Sequence, residues 1–169
     1  MTAEFDIDVS IVNDEWTKNL ADAESVCRTA AVAAFRSVSP ADIANAEASI
    51  LLTDDAQVRD LNNTYRGKDQ PTNVLSFASH DLKNAPECGP VMLGDVVIAF
   101  GVSSAEARNE NKTLADHLSH LVVHGMLHLL GCDHESDGEA AQMETLEIRT
   151  LADLGVADPY ISTEQNGPQ

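Results

Sequence analysis

Basic residues are scarce in this chain. Ten Lys and Arg stand against 28 Asp and Glu, a formal net charge of −18. That balance repels membranes and nucleic acid at long range. Phosphate binding normally depends on Lys and Arg, so an RNA partner must be met where the few cations gather. Arg59, Arg66 and Lys68 form the densest basic group, with Lys83, Arg108 and Lys112 as further candidates. Cysteine is scarce too. Cys27, Cys88 and Cys132 are odd in number and widely spaced, which argues against a disulfide framework and for a reducing compartment. The opening MTAEFDIDVSIV has no basic region followed by an apolar run, so no signal peptide is expected. No stretch reaches the apolar length of a membrane helix. The expected location is the cytoplasm.

What the chain does have is an ordinary apolar content and 169 residues, enough for one domain with a real core. Phe5, Ile7, Val9 and Ile11 alternate with Asp6, Asp8 and Ser10, as in a half-buried strand. Asp14 is placed to cap a helix running to about Ser37, with Trp16, Leu20, Cys27, Ala31 and Phe35 turned inward. Ala48 to Thr53 reads as a second strand. Asp54 or Asp55 then caps a short helix carrying Val58 and Leu61. The polar stretch from Tyr65 to Thr72 reads as a loop. Asn73 to Phe77 and Leu93 to Phe100 read as strands three and four, the latter with a carboxylate, Asp95, where an apolar residue is expected. A short helix follows from about Ser103 to Glu110. Thr113 and Asp116 form a capping pattern for the next helix, and Asp137 is placed to cap a last one ending near Gly155. This order predicts an α+β fold: a single domain over residues 1–156, with a small mixed four-stranded sheet packed with helices around a central buried histidine-bearing helix. Residues 157–169 have little to bury and are expected to form a mobile tail.

The histidine helix carries the chemistry. Within HLVVHGMLHLLGCDH, His124 and His128 are one helical turn apart and project from one face. Gly131 lets the helix stop and the chain turn back, which can swing His134 over the pair. Three neutral imidazoles converging on one point make a Zn2+ site with its fourth position open. His117 and His120 lie on the same stripe, but His120 and His128 are roughly 12 Å apart along the axis, too far to share one ion. His124/His128 is the pair near enough for His134 to join. His117 and His120 are then helix surface or supports of the ligands.

The spacing is similar to that of the metzincin peptidases, H-E-x-x-H-x-x-G-x-x-H. Here Gly125 stands where the catalytic Glu would be, which counts against a peptidase. YRGKDQPTNVLSF, LGDVVIAF and HGMLHLLGCDHESDGEAAQME occur in that order, and together they resemble the YbeY family of bacterial endoribonucleases over roughly Leu51 to Gly155. The resemblance implies a zinc-dependent, single-strand-specific endoribonuclease acting in ribosomal RNA maturation and ribosome quality control. It implies zinc on His124, His128 and His134, a functional arginine at Arg66, and the small ribosomal subunit and its assembly factors as partners, with neither membrane nor DNA. Two positions depart from the usual pattern: Asn73, where many members have Asp, and Cys132, where many have Tyr.

In this reading Arg66 neutralises charge building on the phosphate, its fork matching phosphate oxygens; otherwise it is a solvated loop arginine. Asp95 either orients a ligand imidazole or holds a loop backbone. Asp133 braces the turn or a ligand. Glu135 and Glu144 read as solvated acids, Met143 as helix core and Cys132 as packing. No general base is evident, and attack by water and by the ribose 2′-OH both stay open. Two other readings compete: a ribosome-assembly binding module with structural zinc, and a metal hydrolase of another substrate. The open three-ligand site counts against the first, because structural zinc is usually closed by four protein ligands.

Overall fold

A computed structural model describes residues 4–38, 45–79, 90–132 and 136–161. Four strands form one mixed sheet: β1 (Glu4–Ile11), β2 (Asn45–Thr53), β3 (Val74–Ala78) and β4 (Val91–Ala99). The order is β1-β2-β4-β3. β1, β2 and β4 run parallel, and β3 lies antiparallel on β4 as an edge strand. The helices among the described residues are α1 (Glu15–Asn19), α2 (Ala23–Val38), α3 (Asp55–Arg66), α4 (Phe100–Asn109), α5 (Leu114–Leu129) and α6 (Asp137–Asp153). The predicted α+β architecture is the one observed.

Alternation along β4 assigns the two faces of the sheet. Val96 and Ile98 belong to the main core with α2 and α5, while Val97 and Ala99 join Leu75 of β3 and Val58 of α3 on the other side. The main core is built largely of Ala, Val and Leu, with Trp16 fully buried and its indole N–H donating to Thr53 O at 3.0 Å. α5 runs through the centre between the sheet, α2 and α6. It buries ten of its side chains or backbone positions, from His117 to Leu129, which is the central helix that its near-continuous apolar run predicts.

Several boundaries differ from expectation. The first helix is two, separated at Leu20–Asp22, and the Asp14 side chain makes no cap bond; Asn13 Oδ1 accepts from the Glu15 N–H instead. Ser136, not Asp137, caps α6, accepting from the Glu139 N–H. The caps expected at Asp54 and Thr113 are present. Just past α6, where the tail is expected to begin at Ala157, two hydrogen bonds join Pro159 and Tyr160 to the rest of the domain. Lys112 Nζ donates to Pro159 O at 3.3 Å, and the Tyr160 hydroxyl donates to Glu147. Among the described residues no helix is long and apolar enough to cross a membrane.

Candidate active site

α5 ends as its glycine predicts. Gly131 takes φ 96°, the Cys132 N–H donates to Leu127 O, and the Gly131 N–H donates to His128 O. That is the six-to-one and five-to-two closure that reverses a chain at a helix C-terminus. The turn lies one residue past the last apolar position, so it leaves His128 in the final turn of the helix. His134 and Asp133 lie outside the described residues, as do His80, Lys83, Cys88 and Glu135.

The two histidines one turn apart converge. His124 Nε2 and His128 Nε2 are 3.2 Å apart. Two imidazole nitrogens bound to one tetrahedral zinc would lie about 3.3 Å apart, so the pair already has the span such an ion requires. His120 is turned elsewhere. Its Nε2 lies 3.1 Å from Glu147 Oε1, and its ring centre is 6.4 Å from that of His124. Among the described residues, no group of three His, Cys, Asp or Glu surrounds a common point.

The pair opens on a cavity of about 370 Å3 lined by Arg66, Asn73, Val74, Ser76, Ala78, His124, His128 and Leu129. Val74, Ser76 and Ala78 are alternate residues of the edge strand. They form one wall, and the last turns of α5 form the other. None of these lining residues carries a carboxylate, although the chain has 28. Arg66 supplies the wall's fixed positive charge.

Arg66 does not lie in a loop. It is the last residue of α3, because the turn signal acts at Gly67 (φ 68°) and not at Tyr65. Val58 anchors α3 on the far face of the sheet. The helix end therefore brings Arg66 over the edge of β3, where one guanidinium N–H reaches Ser76 O at 3.4 Å. Arg59, its expected companion, forks onto Asp69 at 2.7 and 3.2 Å. That hydrogen bond holds the Asp69 carboxyl below its ordinary range.

Asn73 also faces the cavity. Its Oδ1 accepts from the Val74 N–H at 2.7 Å, and its Nδ2 donates to Glu106 at 3.0 Å. Glu106 in turn lies 2.9 Å from His117 Nε2. An amide therefore suits this position, since a carboxylate would face Glu106. His117, expected at the helix surface or behind the ligands, is buried against Glu106 on α4.

Asp95 belongs elsewhere. It follows Gly94 on the face opposite Val96, is exposed, and accepts a hydrogen bond from Ser49. Val96 is the residue that touches α5, so strand alternation turns Asp95 away from the imidazoles and makes it a brace between β2 and β4. Met143 is core, and Cys132 packs on that core. Cys27 is buried, which pushes its thiol up to about 12 and makes it inert.

Gly125 is required by packing. A Cβ there would stand 2.7 Å from Val96 Cγ1 and 3.1 Å from Ser76 Oγ, and Ser76 Oγ donates to Gly125 O. The position that carries a catalytic Glu in metzincins is here pressed onto the sheet. Gly125→Ala is expected to destabilise the fold by about 1–3 kcal/mol through overpacking, read as a lower urea midpoint with an unchanged slope.

The carboxylate missed by the sequence reading is Glu147 of α6. It is 1 % exposed, and its Oε1 lies 2.9 Å from His124 Nδ1. Burial works against its charge, but donors from His120, His124 and Tyr160 win and hold its carboxyl down at about 2. Its signal was its spacing: Met143, Glu147 and Leu151 fall four apart on one stripe, with an acid between two core residues.

The sequence model described as "Endoribonuclease YbeY" matches residues 5–155. A protein of that name from Paramagnetospirillum magneticum is 54 % identical over 162 residues, covering 95 % of this chain and 98 % of its own length. Namesakes from Rhodopseudomonas palustris and Bradyrhizobium diazoefficiens are 49 % and 48 % identical, over 94 % and 90 % of this chain and 94 % and 84 % of theirs.

Proposed function

The chain belongs to the YbeY endoribonuclease family, and from that premise we propose that it cleaves single-stranded RNA at the cavity between α5 and β3. In this proposal residues 1–156 form the hydrolase domain, and His124, His128 and His134 hold one zinc ion. Single-stranded ribosomal RNA is the substrate, cut during maturation and quality control in the cytoplasm, with the small ribosomal subunit and its assembly factors as partners.

The observation that carries the reading is the 3.2 Å approach of two imidazole nitrogens at the floor of a cavity whose charged lining residue is an arginine. Zinc held there would supply Lewis acidity toward a phosphoryl oxygen and lower the pKa of water toward about 7. The protein's own part is positioning. Glu147 accepts from His124 Nδ1–H, so the lone pair of Nε2 faces the cavity. Arg66 meets charge developing on the phosphate with paired donors. Among the described residues the lining carries no carboxylate, which lets a chain of net charge −18 admit a polyanion at this place.

The test uses purified protein and two RNAs, one single-stranded and one fully paired, with a chelator and zinc add-back. Cutting of the single strand is expected to stop with chelator and return with zinc, with the duplex spared. Undiminished cutting by metal-free protein would sink the metal reading. Stable binding without any cutting would favour a binding module.

A further inference from the structure

The most deeply buried charge in the described residues is not among those lining the cavity. Glu147 is 1 % exposed on α6, and its three partners come from two separate parts of the chain, α5 and the segment beyond α6. Oε1 receives His124 Nδ1 at 2.9 Å and His120 Nε2 at 3.1 Å; Oε2 receives the Tyr160 hydroxyl at 2.6 Å. A buried carboxylate is costly unless its lone pairs are met. Here a phenol and two imidazoles meet them, and one of those imidazoles faces the cavity on its other side.

An ionised carboxylate can only accept. His124 must therefore carry its proton on Nδ1, which leaves Nε2 with a lone pair pointing at His128. Without that anchor the Nδ1–H loses the acceptor that fixes this tautomer. Tyr160 lies beyond the end of α6, where the turn at Gly155 and the Lys112–Pro159 contact deliver it. Its ring stands edge-on to His120, with centres 5.7 Å apart. The residue is 45 % exposed, so its ring is partly in solvent while its hydroxyl reaches inward.

We propose that Glu147 is the positioning residue of the metal centre, fixing the tautomer and orientation of His124, and that Tyr160 holds Glu147 in place from the chain beyond α6. This rests on the zinc reading above. It makes the segment after α6 part of the site, although none of its residues lines the cavity.

The experiment measures zinc affinity of the full chain by competition with a chromophoric chelator, alongside thermal unfolding of each metal-free protein. Glu147→Gln is expected to weaken zinc binding roughly tenfold to a hundredfold, the usual cost of removing the group behind a ligand histidine. Tyr160→Phe leaves Glu147 one hydrogen bond short and is expected to weaken zinc binding roughly twofold to tenfold, in a metal-free protein that still folds but unfolds a few degrees lower. Wild-type protein that takes up no zinc would overturn the zinc reading itself. Zinc-binding wild type together with a folded Glu147→Gln of equal affinity would overturn this proposal alone. If Glu147→Gln does not fold, Tyr160→Phe decides: equal affinity overturns the proposal, and weaker affinity of protein that remains folded at the assay temperature supports it.

Discussion

His124→Ala is expected to abolish RNA cleavage, lowering turnover on the order of a thousandfold or more, and to lose the metal at the same time. The size follows from how many contacts meet on one ring. Its Nε2 is half of the 3.2 Å pair, and its Nδ1 is a donor to a carboxylate that solvent does not reach. In the proposed zinc site, alanine would remove a ligand and leave the remaining imidazoles with too few donors for tight zinc binding. It also takes from Glu147 one of three hydrogen bonds, at about 1–3 kcal/mol of stability for a buried group left short. Two measurements check this: zinc content by mass spectrometry, and cleavage of a labelled single strand. Metal-free variant protein that cuts at the wild-type rate would point to a contaminating nuclease.

The parts of this site legible in the sequence are those encoded by local rules. Helical spacing brings His124 and His128 to one face, and Gly131 marks the end of α5. The alternation in β1 and the caps at Asp54 and Thr113 are equally local. What local rules do not encode is which distant side chain meets which. Glu147 lies 23 residues from His124 and Tyr160 another 13 beyond, and their contact depends on how α6 docks on α5. Asp95 shows the same limit from the other side. An acid in an apolar strand suggested the site, but strand parity turns it toward Ser49. The polarity of Tyr65 to Thr72 predicts a loop around Arg66. The amphipathic spacing of Val58, Leu61 and Asn62 carries the helix on until Gly67 stops it.

That helix end is why Arg66→Ala is expected to behave differently from His124→Ala. Arg66 touches neither imidazole through any bond given by its geometry; it reaches over the edge strand to Ser76 O and lines the cavity opposite α5. Zinc affinity and unfolding temperature should therefore remain near wild type, because an exposed residue at a helix terminus contributes little to the core. Turnover should fall about a hundredfold to a thousandfold, the range for removing one donor aimed at developing oxyanion charge. The loss should appear in kcat more than in KM if the guanidinium acts on charge that builds during cleavage. Arg66→Lys should recover little, since an ammonium cannot span two phosphate oxygens as the planar fork does. A loss confined to KM, and made good by lysine, would instead make Arg66 a cation that recruits RNA to an otherwise acidic protein. That outcome would leave the phosphate charge to the metal alone.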